Sequence, residues 1–225
     1  ITENWKRKTL GKITFIYPYH HKFNDDLAMQ ASRFCDEISK EYKFSEWKPF
    51  DFYITASGDE LGKLLNLDFF FAGYTTGIGM NDNRILLSGM GSEYYPHEFI
   101  HLVVPKQDRH GIIEEGFATW KGGQGWKTFE ESAKLLAIEL AKNDTITFFD
   151  ILNKKWGWQY AAFYTTGAII CKAAYRKGGV VLVKKLLEVP PDDEKLIETM
   201  CSIFKINEVD IDSFWKKEVS EFKPN

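Results

Sequence analysis

The stretch YPHEFIHLVV at residues 95–104 predicts more about this chain than any other segment of the sequence. Its apolar residues surround two histidines, and Pro96 stands where proline is tolerated, in the first turn of a helix. On a helix, residues four positions apart lie on one face, one turn from each other. The stretch therefore predicts a largely buried helix that presents His97 and His101 on the same side.

The polar residues of this predicted helix need a partner, because charged side chains are costly to remove from water. A metal cation is one such partner, and two imidazoles one turn apart can reach one zinc ion at about 2.0–2.1 Å. Glu98 lies roughly 100° around the helix from His97, so it can reach a water on the metal rather than the metal itself. We predict His97 and His101 as zinc ligands and Glu98 as a general base.

A second glutamate-bearing segment follows at Glu115–Ala118, which reads EGFA. Together with residues 97–101 (HEFIH), which form an H-E-x-x-H motif, it resembles the gluzincin metallopeptidases: thermolysin-like enzymes, leukotriene-hydrolase type aminopeptidases and the smaller peptidase-MA-like domains. In those families the glutamate of an E-G-x-A-like segment binds zinc, so the resemblance implies Glu115 as the third ligand. Glu114 is the alternative, and both residues could simply be acidic groups favoured by a helix start. His110 could approach the metal, but as a polar loop residue it is expected to be exposed.

The same resemblance suggests a group that stabilises the oxyanion. The aminopeptidases use a tyrosine in a Y-x-x-G segment, and residues 164–167 here read YTTG. The resemblance therefore implies Tyr164 as the hydrogen-bond donor. Tyr160, one turn earlier, is the alternative, and both tyrosines could equally be aromatic core residues.

Substrate binding in the gluzincins usually involves an edge strand just before the metal helix. Residues 84–88 (RILLS) occupy that place in the sequence, although an ordinary core strand would have the same pattern. The aminopeptidases also carry a glutamate there that anchors the substrate's free amine. Residues 77–80 (GIGM) have none, which favours an endopeptidase.

The function implied is that of a zinc-dependent peptidase acting on a peptide or protein substrate. Zinc would lower the pKa of its water toward about 7, and Glu98 would move the proton. The alternatives are a non-catalytic peptide-binding or scaffold module with the same fold, and a zinc hydrolase of a non-peptide acyl bond. Trp120 and Trp126 could shape a substrate cleft, although large apolar residues are more often core.

The pattern of apolar residues changes near residue 90. Before it, strand patterns alternate with helical ones: strands at 12–19, 50–56, 69–74 and 84–88, helices at 24–43 (capped by Asn24) and 58–65. The glycines at 73, 77 and 79 and residues 81–83 (NDN) are typical of turns between the last two strands. After it, the periodicity is helical, at 92–104, 112–120, 128–142, 158–177, 179–188, 193–204 and 210–221. We predict an α+β fold: a small mixed sheet in residues 1–90 packed on a mainly helical part, 91–225, in a zincin-like arrangement with the metal-binding helix between them.

Composition excludes several other classes of protein. With 44% hydrophobic residues the 225-residue chain can bury a core, and its net charge of −3 without a basic run argues against nucleic acid as a partner. No apolar stretch approaches the roughly 20 residues that span a bilayer.

The three cysteines lack C-x-x-C spacing, so a thiolate zinc site is not expected, and Cys35 should pack as a small apolar residue. A start at Ile1 is compatible with export after removal of a signal peptide, but compartment and oligomeric state stay undecided.

Overall fold

The computed structural model describes residues 2–66, 77–154 and 159–224, and the chain divides into two compact units. The first unit is Ile1–Lys106 and the second is Gln107–Asn225. This division differs from the predicted boundary at residues 90/91, because the helix that carries the two histidines packs on the sheet of the first unit. The predicted strand at 69–74 lies outside the described residues.

Over its described residues, the first unit combines a mixed sheet with three helices. Within the described residues its strands are β1 (Lys6–Leu10), β2 (Ile13–Tyr17), β3 (Phe50–Ile54), β4 (Gly77–Met80) and β5 (Ile85–Ser88). Its helices are α1 (Asp25–Glu41), α2 (Gly58–Leu64) and α3 (Pro96–Val103). The strand order is β1-β2-β3-β5-β4. Since β2, β3 and β5 run parallel and the two outer strands antiparallel, the predicted mixed sheet and the α+β class are confirmed.

A row of apolar side chains across the central strands forms the surface on which α3 lies. Phe15, Phe52 and Leu86 are paired in register and fully buried. Phe99 of α3 meets the ring of Phe52 edge-on at 5.5 Å and lies 6.0 Å from the ring of Phe50. These contacts fix the motif helix on the sheet, and edge-to-face pairs add to the stability that burial alone gives.

Helix α1 begins as the sequence predicts. The side chain of Asn24 accepts hydrogen bonds from the backbone N–H groups of Asp26 and Leu27, which satisfies two otherwise unpaired donors of the first turn. Cys35 lies on the buried face of α1 and is fully removed from solvent, as expected for a small apolar residue. Its burial raises the pKa of the thiol well above the ordinary value.

The prediction that residues 84–88 form an edge strand is wrong. Strand β5 pairs with β3 on one side and with β4 on the other, so its backbone groups on both sides are engaged. The outermost of the described strands on that side is β4, in residues 77–80, whose glycines we had interpreted as turn residues. Strand β1 was also missed, because its KRKTL sequence is mostly exposed and lacks an apolar pattern.

The second unit is helical over its described residues. Its helices are α4 (Gly111–Gly122), α5 (Phe129–Lys142), α6 (Phe148–Leu152), α7 (Gln159–Leu187), α8 (Asp193–Phe204) and α9 (Ile211–Ser220), with a short 3₁₀ turn at Glu208–Asp210. Helix α7 packs against each of the other five, so it is the central helix of the unit. Its backbone is non-helical at Gly178 and Gly179, which is where the sequence predicted a break between two helices. The short α6 was not predicted.

Across residues 2–66, 77–154 and 159–224, the structure contains no helix that is long and apolar enough to span a bilayer.

The contact between α3 and the sheet can be tested with Phe99→Ala. Because Phe99 is fully buried against Phe50 and Phe52, the truncation should lower the free energy of unfolding by about 3–5 kcal/mol. Denaturant unfolding measures the loss. Val209→Ala is the control, since that side chain is 87% exposed and should cost no more than about 0.5 kcal/mol. A loss below about 1 kcal/mol for Phe99→Ala would contradict this packing.

Candidate metal centre

Helix α3 spans Pro96–Val103, so Pro96 lies in its first turn as predicted, and the helix is shorter than the predicted segment 92–104. It ends where Val104 takes an extended conformation before Pro105, because a residue that precedes proline is disfavoured in the helical region. His97 is buried and His101 half-buried, and their ring centroids lie 5.2 Å apart. The prediction that both imidazoles share one side of a helix is therefore confirmed.

The turn between β4 and β5 holds the last turn of α3. The side-chain amide of Asn81 donates to the carbonyl of His101 at 2.8 Å, and the guanidinium of Arg84 donates to the carbonyl of Leu102 at 2.9 Å. The last carbonyls of a helix lack partners within the helix, so these bonds satisfy them. Burial lowers the pKa of Arg84, but an arginine stays charged. Sequence reasoning treated residues 81–83 only as a turn and missed this role.

Strand β4 presents bare backbone to α3. A Cβ placed on Gly79 would lie 3.3 Å from Oε2 of Glu98, and one on Gly77 would lie 2.3 Å from a ring carbon of Tyr95. Glycine in a strand often marks such a close approach. The absent side chains leave the space in which the half-buried Glu98 carboxylate lies. These two glycines are functional candidates that the sequence did not reveal.

Helix α4 begins with a histidine cap. Nδ1 of His110 accepts the N–H of Ile112 at 3.3 Å, while Nε2 contacts Oδ1 of Asp193 at 2.8 Å. The ring is buried, so the prediction that His110 is exposed is wrong. The reason is that both ring nitrogens have protein partners, which offset the loss of water. Those partners also leave no nitrogen for the metal, in contrast to the alternative raised from the sequence.

The two neighbouring glutamates of α4 have different surroundings. The Glu114 carboxylate lies 3.7 Å from the guanidinium of Arg109, whose side chain is almost fully buried. Burial lowers the pKa of Arg109, and the charge of Glu114 opposes that shift. Glu114 thus belongs to an ion pair beside the helix start. Glu115 is half-buried on the next position around the helix.

The glycines of the EGFA and YTTG segments lie against each other where α4 and α7 cross. A Cβ on Gly116 would lie 2.2 Å from the carbonyl carbon of Gly167, and one on Gly167 would lie 1.8 Å from the carbonyl oxygen of Ile112. The two backbones therefore touch, which no larger residue would permit. This contact fixes the turn that carries Glu115 relative to the turn that carries Tyr164.

The aromatic candidates of the second unit are placed as follows. Tyr164 is half-buried with its ring beside Phe163, whereas the side chain of Tyr160 lies outside the described part of the chain. Trp120 is half-buried and packs edge-on against Tyr175. Trp126 is 75% exposed, so it is not a core residue.

Within the described ranges, one group of histidine, cysteine, aspartate and glutamate side chains could hold a metal ion. It consists of His97, His101 and Glu115, whose potential ligand atoms all lie within 4.8 Å of one another. Two imidazole nitrogens and one carboxylate oxygen are the donors of one common class of catalytic zinc site, so the donor set fits zinc. Acidic groups also occur near histidines without an ion, and metal binding is therefore a proposal.

Comparison with known proteins adds no family. No protein-family model and no curated protein sequence matches this chain. The function must therefore be inferred from the residues and their geometry.

The crossing of α4 and α7 can be tested with Gly167→Ala. Because the new methyl group would collide with the backbone of α4, we expect the free energy of unfolding to fall by about 3 kcal/mol, the upper end of the usual cost of overpacking. Gly111→Ala is the matched control, since its Cβ would meet only ring atoms of Phe163 at an ordinary 3.9 Å. That control should change stability by no more than about 1 kcal/mol. Equal effects in the two variants, measured by denaturant unfolding, would refute the backbone contact.

Proposed function

We propose that this chain is a zinc-dependent metallopeptidase of the gluzincin type that hydrolyses internal peptide bonds. The observation that carries the proposal is the grouping of His97, His101 and Glu115, with Glu98 next to the first histidine in the H-E-x-x-H sequence. The order of elements gives further support for a zincin-like arrangement, since a mixed sheet precedes the motif helix and helices follow it.

The metal would be held by one nitrogen from each of His97 and His101 and one oxygen from Glu115. When bound, zinc supplies a Lewis acid that polarises a substrate carbonyl and lowers the pKa of water. Glu115 is favoured over Glu114 as the third ligand, because Glu114 faces the buried guanidinium of Arg109.

Glu98 would carry the proton of the reaction. Its Oε2 lies beside the bare backbone of Gly79, 3.3 Å from the point that a Cβ on that residue would occupy. In the proposed mechanism it accepts a proton from water as the oxygen attacks the scissile carbonyl carbon. It then gives that proton to the nitrogen of the leaving amine as the carbon–nitrogen bond breaks.

Tyr164 would donate a hydrogen bond from its phenol to the oxyanion that forms on the attacked carbonyl. The contact between Gly116 and Gly167 supports this role, because it ties the turn of the tyrosine to the turn of Glu115 within one unit. An endopeptidase is favoured over an exopeptidase, since β4 carries no acidic side chain that could anchor a free amine.

The role of Glu98 can be tested with Glu98→Gln. This change keeps the shape of the side chain but removes its ability to accept a proton, so kcat/KM for a chromogenic peptide should fall by about 10²–10⁴-fold. Zinc content, measured by elemental analysis, should stay equal to that of the wild type. Full hydrolytic activity in Glu98→Gln would remove Glu98 as the base.

Metal binding can be tested with His101→Ala. Loss of one of three ligands should leave the purified protein with little or no zinc, because the remaining two donors hold it weakly. His20→Ala is the matched control, since His20 is exposed on a loop of the same unit. This variant should contain as much zinc as the wild type. Unchanged zinc content in His101→Ala would exclude His101 as a ligand.

One panel of assays on the wild-type chain can distinguish a peptidase from a non-catalytic scaffold and from a hydrolase of a different acyl bond. Cleavage of a peptide library that stops on addition of a chelator supports the peptidase. Zinc binding without hydrolysis of any peptide or ester would indicate the scaffold alternative, and hydrolysis of esters alone would indicate a different acyl substrate.

A further inference from the structure

The segment just before α4 is fastened to the connection between α7 and α8. The backbone N–H of His110 donates to the carbonyl of Val189 at 2.8 Å, and Nε of Arg109 donates to the carbonyl of Leu187 at 3.2 Å. The side-chain amide of Gln107 donates to the same Leu187 carbonyl. We call these contacts of residues 107–110 with residues 187–193 the α4 clamp.

His110 is the residue of the α4 clamp that reaches into the helix itself. A backbone N–H can only donate, so Nδ1 must accept from Ile112, and the ring proton therefore sits on Nε2 and is donated to Asp193. The carbonyl of His110 also accepts the N–H groups of Ile113 and Glu114 at 2.9 and 3.0 Å. His110 thus accepts hydrogen bonds from three of the first backbone N–H groups of α4.

We propose that His110 is a positioning residue for the Glu115 carboxylate. Glu115 follows directly after the three residues whose N–H groups donate to His110. Loss of the acceptor Nδ1 therefore loosens the helical turn that carries Glu115. The bond to Asp193 holds the imidazole in the orientation that makes Nδ1 the acceptor. This inference rests on the proposed function, in which Glu115 is a zinc ligand.

The test compares three variants of the full chain for zinc affinity and for hydrogen exchange. His110→Ala should raise the zinc dissociation constant about 10-fold, the low end for groups that orient metal ligands. His110→Asn should restore it to within about 2-fold, because asparagine accepts the same backbone bond at a helix start. Thr128→Ala is the matched control: it removes the cap of α5, a helix of the same unit without a predicted ligand.

The outcomes separate this inference from the proposed function. His110→Ala should also speed amide exchange at residues 112–115 in the metal-free chain, whereas Thr128→Ala should speed it only at the start of α5. Wild-type zinc affinity in His110→Ala, or an equal loss in Thr128→Ala, would overturn the positioning role. If the wild type binds no zinc, the proposed function fails. In that case, unchanged amide exchange at residues 112–115 in His110→Ala would also refute the claim that His110 holds the first turn of α4.

Discussion

The constraint on which the site depends is the cost of burying polar groups on a short helix that lies against an apolar sheet. Phe99 packs α3 against the phenylalanines of β3, and on this helix His97 is buried while Glu98 and His101 are half-buried. An imidazole or carboxylate in such a place must find partners or it destabilises the fold. Asn81 and Arg84 supply partners for the last carbonyls of α3, and in the proposed function the rings of His97 and His101 would bind a metal ion.

Glycines allow a helix to approach its neighbour closely at two separate places in the structure. In the first unit, Gly77 and Gly79 remove side chains from the face of β4 that meets α3. In the second, Gly116 and Gly167 let α4 and α7 cross with their backbones in contact. In both cases a segment bearing a candidate catalytic side chain is brought closer to its support than any residue with a Cβ would allow. A rigid support of this kind limits the conformational freedom of functional side chains, as a preorganised site requires.

Sequence reasoning recovered what depends on local patterns and missed what depends on distant partners. The cap at Asn24, the start of α3 at Pro96 and the break in α7 at Gly178 each follow from residues within one turn. The class of fold followed from the order of strand and helix patterns. The position of β5 within the sheet could not be predicted, because strand order is set by pairing across the chain. The burial of His110 was missed for the same reason, since its partner Asp193 is 83 residues away.

Both helices that carry candidate ligands receive side-chain hydrogen bonds from a neighbouring loop at the end nearer the ligand. In α3 the proposed ligand His101 lies in the last turn, where the side chains of Asn81 and Arg84 donate hydrogen bonds to the backbone carbonyls. In α4 the proposed ligand Glu115 follows the first turn, where His110 accepts hydrogen bonds from the backbone N–H groups. Helix ends fray more readily than helix centres, because their backbone groups lack partners within the helix. Ligands placed near such ends need anchors from outside the helix, and each helix receives them from a loop of its own unit. The precision of the proposed site therefore depends as much on these loops as on the three ligands.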